Sequence, residues 1–340
     1  MSWQSQLKGD ALSWLLESET PGVRYLALRD LLDAPSDSDA LTEARRVAYD
    51  EGPIAAILSH MADEGYWVKP GHSYGPKYHS TVWSLIALAQ LGASARDDER
   101  VARGCRYLLD HALTGNGQFT ATTAPFGTID CLHGNLCAAL LDLGYTDDER
   151  ISQAFDWLAR SVTGEGIAPA SERSAPLRYY VYKCGPGFRC GANAGQPCAW
   201  GAVKVMLALS KWPAAGRTPL MERAIEQGAE FLLAGDPAAA DYPNGNSDKP
   251  NRAWWTFGFP VFYVTDVLQN VETLVALGRA GDPRLAPALD LIRAKQDNDG
   301  RWALDYDYTS KVWGYYGRKK RPNPWVTLRA LRVLKAAYPH

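Results

Sequence analysis

Apolar residues recur along this chain in blocks at helical spacing, and the blocks come in pairs. Three first blocks close on Leu-Gly and are followed by an acidic cluster: Leu91-Gly92 before Asp97, Asp98 and Glu99; Leu143-Gly144 before Asp147, Asp148 and Glu149; Leu277-Gly278 before Asp282. A glycine there suits the left-handed position that ends a helix, and the aspartates suit the start of the next one, where they accept from free N–H groups. The second blocks, 101–111, 151–161 and 285–295, carry one charged face each and run into glycine turns, TGNGQF, TGEGI and QDNDGRW. A fourth, diverged pair covers 198–212 and 220–233, joined by WPAAGRTP. Stretches 23–33 with 41–49, and 325–337, complete the series. Nothing reads as a strand of any length, so the pattern predicts five or six helical hairpins repeating every roughly 50–65 residues.

Closure into a ring is favoured over an open stack. The first blocks (81–91, 136–143, 203–209, 267–277) are apolar on most faces, as helices inside a double ring must be. An open solenoid wants a polar capping repeat, and 325–337 is too apolar to be one. The expected fold is all-α: an α/α toroid, a closed double ring of five to six hairpins forming a single domain over residues 1–340.

Composition narrows the function classes. The chain has 340 residues, 46% hydrophobic and 22% charged, with a net charge of -2, which excludes intrinsic disorder and gives no excess of cations for nucleic acid or an anionic membrane. The basic run Arg318, Lys319, Lys320, Arg321 reads as a solvated loop. No apolar run reaches the ~18–20 residues of a membrane span, and MSWQSQLKGD lacks the apolar stretch of a secretory signal, so the cytoplasm is the expected compartment. Six cysteines are too few for a disulfide scaffold in a chain of this size. Twelve Trp and seventeen Tyr point to an aromatic-lined cavity.

In a toroid the inner helices run parallel, so their first residues share one rim. Counting back from each Leu-Gly places His79, Cys131 and Thr265 there, and matching the two Cys-x-x-Gly segments adds Cys198. Neighbouring helices lie about 8–10 Å apart, which sets Cys131 beside Cys198. The loop KCGPGFRCGANAGQPC adds Cys184 and Cys190. Thiolates at helix N-termini are favoured by the dipole, and zinc prefers sulfur and nitrogen ligands, so this mouth is an expected zinc site. Its ligands would be Cys131, Cys190 and Cys198, with Cys184 as the fourth and His133 competing; the other reading of the same thiols is small buried core residues. Cys105 and Cys137 read as core. Acid or base candidates on the rim are His72, Lys77, His79, Asp130 and Asp266, although a single aspartate at a helix start is also an ordinary cap. Tyr74, Tyr78, Trp255, Phe259, Tyr263 and Trp313 offer faces for an apolar or aromatic substrate.

The segment Gln296 to Trp302 resembles the Q-x3-G-x-W repeat of squalene cyclases, oxidosqualene cyclases and related α/α-toroid proteins, and the helix-pair spacing resembles the same superfamily, which includes the β subunits of protein prenyltransferases. YGPKYHSTVWSLIALAQLG resembles bacterial single-toroid proteins of the same terpene-cyclase-like superfamily. The resemblance spans nearly the whole chain and implies the toroid. For activity it implies less: the Asp-x-Asp-Asp acid motif is absent, Asp305-Tyr306-Asp307 being a loose echo, and Asp130-Cys131 are adjacent where the prenyltransferase zinc ligands are separated. The expected function is an enzyme holding an apolar or aromatic small molecule, with cysteine-bound zinc assisting a lyase-, isomerase- or cyclase-like reaction. The alternatives are a metal-free isoprenoid cyclase with Asp266 or Asp307 as proton donor, and a non-catalytic protein-interaction toroid. A partner protein is left open.

Overall fold

A computed structural model describes residues 2–122, 124–169, 171–179 and 184–339. Thirteen α-helices lie among them: α1 (Ala11–Leu16), α2 (Val23–Asp30), α3 (Asp39–Asp50), α4 (Gly52–Leu58), α5 (Thr81–Gln90), α6 (Glu99–Ala112), α7 (Asp130–Asp142), α8 (Glu149–Thr163), α9 (Ala199–Lys211), α10 (Pro219–Leu233), α11 (Val267–Ala276), α12 (Ala286–Ala294) and α13 (Pro324–Ala337). Only isolated bridges, and no strand, occur among the described residues. No helix there is long and apolar enough to cross a membrane.

The helices form an α/α toroid. Six inner helices, α2, α5, α7, α9, α11 and α13, pack in sequence around a ring. The remaining helices form the outer layer. Burial follows the sequence pattern: α5 is buried from Thr81 to Ala89, whereas α6 hides Val101, Cys105, Leu108 and Leu109 and leaves its charges outside. Asp98 and Asp148 accept from the N–H groups of Arg100 and Arg150, starting α6 and α8.

Two glycines show how tightly the ring closes. A side chain on Gly92 would meet Leu26 Cδ2 at 2.5 Å, because the end of α5 rests on α2; φ is +81° there as well. A side chain on Gly134 would meet the backbone of Lys204 at 2.4 Å, which is what lets α7 and α9 lie against each other.

The Q-x3-G-x-W segment fastens the ring. Gln296 Nε2 donates to the Gln6 carbonyl (3.0 Å) and its Oε1 accepts from Lys8 N–H (3.0 Å), drawing the first residues onto the last hairpin. Trp302 donates its indole N–H to the Ile292 carbonyl (2.8 Å), and its backbone N–H reaches Thr327 Oγ1 at 3.0 Å. The same device occurs at Trp67, whose indole reaches the Ile57 carbonyl (2.7 Å) while its backbone reaches Thr81 Oγ1 (3.1 Å). Each tryptophan thus pins the end of an outer helix to the start of the next inner one.

The centre of the ring is filled by the chain itself. Residues 257–265, between α10 and α11, turn inward and are held by three inner helices. Gln90 of α5 exchanges two hydrogen bonds of 2.7 Å with the backbone of Val261, Asn135 of α7 donates to the Phe262 carbonyl (3.2 Å), and Arg329 of α13 donates to the Gly258 carbonyl (2.8 Å). Phe262 is fully buried, stacked on Tyr78 at 5.0 Å with Trp83 and Tyr308 edge-on to it. Among the described residues this plug occupies the middle of the ring, with a cavity at each of its two ends.

Candidate functional site

The inner helices all begin at one face, and a cavity of about 430 Å³ opens there. Tyr74 and Lys77 come from the loop before α5, Cys131 from the first turn of α7, and Cys190, Asn193 and Cys198 from the loop into α9. Tyr242, Asn251, Trp254 and Tyr263 come from the long connection between α10 and α11. The expected convergence of Cys131 and Cys198 is present, and it follows from the parallel start of α7 and α9.

Cys198 caps α9. The loop before it doubles back, with Cys198 N–H reaching the Phe188 carbonyl (2.9 Å) and Cys190 N–H the Gln196 carbonyl (3.2 Å), so that Cys190 stands beside Cys198. The hydrogen bond between these two thiols raises Cys198, with burial adding to it. Burial pushes Cys131 up to about 12, and the neighbouring Cys190 adds to that. The helix-end argument predicted thiolates; burial at Cys131, and the Cys190 hydrogen bond together with burial at Cys198, act against it and favour the protonated thiols. Cys184 is buried but does not line the cavity; it acts on Tyr179, whose hydroxyl donates to the Arg160 carbonyl.

His133 does not join the thiols. Its Nε2 lies 3.1 Å from the Ala154 carbonyl of α8 and its ring meets the edge of Phe119, so it faces the outer layer; burial pulls it down to about 3. Among the described residues no group of three or more His, Cys, Asp or Glu side chains is arranged to hold a metal ion. Cys131, Cys190 and Cys198 meet at the cavity while His133 is turned away from them.

The acid and base candidates scatter. Lys77 lies over the rings of Tyr263 (4.9 Å) and Tyr74 (5.2 Å) at the mouth. Tyr263 donates to the Tyr74 hydroxyl at 3.1 Å. Burial raises Tyr263 well above the ordinary phenol range, with Cys131 adding to it. Asp130 sits behind the thiols, buried against the first turn of α9; burial, and then Cys190, raise it well above the usual carboxylate range, so it is a neutral acid. Asp266 has another occupation. It caps α11 through Gln269 N–H (2.8 Å) and takes both guanidinium nitrogens of Arg329 at 2.9 Å, so both of its oxygens are committed. Asp307 accepts from Thr309 (2.6 Å) and pairs with Lys319, which hold it below the usual range although burial opposes them. His79 turns outward: its ring meets the edge of Trp313 at 4.3 Å, Trp313 stacks on His60 at 3.9 Å, and burial lowers it. His72 does not line the cavity.

Of the expected aromatic contacts, Tyr74 and Tyr263 line the cavity. Tyr78 belongs to the plug cluster, Phe259 stacks on Trp325 at 4.9 Å toward the other end, and Trp313 lies with the histidines. Trp255 donates to the Ala238 carbonyl (2.7 Å) away from the cavity, while its neighbour Trp254 lines it. Sequence reasoning missed Tyr242, Asn193 and Asn251, and placed Trp254 only within the wider aromatic run 254–263. The available signal was the pair of Asn- and Gly-rich loops, GANAGQP and PNGN. They are stitched together by Asn193 Nδ2 to the Pro243 carbonyl (3.0 Å) and Asn246 Nδ2 to the Ala192 carbonyl (2.9 Å).

No protein-family model and no curated protein matches the chain. Among solved structures it is similar to an unsaturated glucuronyl hydrolase specific for heparin (11% identity, TM-score 0.54, 98% of this chain and 96% of that one). It is also similar to a glycosyl hydrolase of family 88 from Bacteroides vulgatus (10% identity, TM-score 0.53, 100% and 99% covered). A type II terpene cyclase, MstE from Scytonema, aligns at 17% identity and a TM-score of 0.49 over 99% of both chains. At these identities the likeness to the two hydrolases is one of fold alone.

Proposed function

We propose that the protein is an enzyme that takes a small apolar or aromatic molecule into the cavity at the N-terminal mouth of its ring and moves a proton on it. The observation that carries this is the set of groups meeting there. Tyr263 donates to Tyr74, which leaves the Tyr74 proton free to point at a ligand, and the Lys77 ammonium lies over both rings. Were Tyr74 to give up its proton, the Tyr263 hydroxyl and Lys77 would steady the phenolate. Trp254, Ile129 and the neutral thiols Cys131 and Cys198 provide the apolar wall, and the asparagine loops provide a polar rim. Proton transfer of this kind fits an isomerase or lyase reaction. Asp130, protonated behind Cys190, is the reserve acid.

The test is a ligand-observed NMR survey of small phenols and cyclic terpenoids, followed by product analysis of any binder. Tyr74→Phe is expected to lower turnover by about 10²–10⁴ while leaving affinity near that of the wild type, as removal of a general acid does. Lys77→Met, at an exposed position, is expected to lower turnover as well. If binders exist and neither substitution changes anything but affinity, the second reading, a non-catalytic ligand- or partner-binding toroid favoured by the filled centre, takes over.

A further inference from the structure

The opposite end of the ring holds a second cavity, of about 480 Å³, separated from the first by the plug and lined from all six inner helices. Its chemistry is ionic. Arg29 and Arg332 share one carboxylate, Asp30, and Lys211 pairs with Asp142 at 2.8 Å. Arg329 is taken by Asp266. Two charges are left over: one guanidinium on the wall of α2 and α13, and Glu272 on α11. Glu272 makes no hydrogen bond or ion pair among the described residues and reaches Lys211 and Arg329 only through space. The floor is also unfinished. Asn135 and Gln269 are each only 6% exposed, and both line the cavity. Asn135 spends its amide nitrogen on Phe262 and Gln269 spends its oxygen on Lys204, which leaves Asn135 Oδ1 and Gln269 Nε2 without partners among the described residues.

We infer that this cavity is a binding site for a small zwitterion bearing one carboxylate and one ammonium group, as an α-amino acid does. The carboxylate meets the surplus guanidinium of Arg332 and the Gln269 amide; the ammonium meets Glu272 and Asn135 Oδ1. The inner helices all end at this mouth, and their negative ends favour the ammonium. A ligand with a single charge neutralises one surplus and leaves the other, whereas a zwitterion satisfies both without bringing net charge into a half-buried space. The site is independent of the proton-transfer reading of the other mouth.

The experiment is calorimetric titration of the whole protein with each of the proteinogenic amino acids. Every binder is then compared with its decarboxylated amine and its deaminated acid. At least one amino acid is expected to bind at millimolar concentration or below, about tenfold or more tightly than either one-charge analogue. Glu272→Gln, which removes no hydrogen bond or ion pair within the fold, is expected to weaken the amino acid about tenfold without weakening the deaminated acid. Lys77→Met at the far mouth is expected to leave both unchanged. Absence of any binding amino acid, equal binding of the one-charge analogues, or a Glu272→Gln protein that binds as the wild type does would each overturn the inference.

Discussion

The two mouths of the ring are built from the same six helices and differ in kind. At the N-terminal mouth the helix starts carry Cys131, Cys198 and Asp130, all neutral, and the surrounding loops add tyrosine, tryptophan and asparagine. At the C-terminal mouth the helix ends carry Arg29, Asp30, Asp142, Lys211 and Arg332 as ion pairs. The N-terminal mouth is framed by long connections, and the C-terminal mouth is bordered by short turns such as those at Gly92 and Gly144. One end thus gathers proton donors beside the single Lys77 ammonium, and the other pairs charges carried on the helix ends.

That division rests on the plug, and the sharpest way to break it is Arg329→Met. Asp266 would be left as a buried, unpaired carboxylate and the Gly258 carbonyl would lose its donor. A loss of about 3–5 kcal/mol is expected in urea unfolding. Lys204→Met acts in the opposite direction. This lysine is fully buried between the two ends, and burial pulls it down to about 7, against the pull of Asp266. Its unfolded value is near 10.5, so burying it costs most below pH 7, and the cost fades as pH rises toward 10.5. Methionine is expected to gain roughly 1–3 kcal/mol at neutral pH, with the gain shrinking at pH 10; an equal gain at both would refute the titration. Releasing the plug more gently, Gln90→Ala is expected to cost about 1–3 kcal/mol and to speed amide exchange across 257–265, with exchange in α6 unchanged. His133 gives a smaller, acid-side signature. It is neutral in the fold at about 3 and about 6.5 when unfolded, so stability is lost as pH falls from 6.5 toward 3. His133→Phe is expected to flatten that limb, read as the acid-unfolding midpoint.

The ring itself was legible in the sequence because its signals are local. Leu-Gly followed by an acidic cluster marks a hairpin whatever the rest of the chain does, and parallel inner helices then fix which first residues meet, so Cys131 and Cys198 were found together. The site was less legible where loops decide. His79 precedes α5 by two residues, yet the path of the loop aims it outward at Trp313. The run from Trp254 to Tyr263 reads as a ligand face because nothing in its composition separates aromatic residues that line a cavity from those that fill one. The charged C-terminal mouth was invisible for a related reason: Arg29, Lys211 and Glu272 look like ordinary solvent-facing helix residues until the ring turns them inward.

The tryptophan pins at positions 67 and 302 carry a further consequence. They fasten the framework by tying outer helices to the starts of inner ones, and neither tryptophan lines the cavity that opens on that side. The architecture thus separates upkeep from specificity: loops at the rims are free to change length and residue type over evolutionary time, while the barrel beneath them keeps its shape.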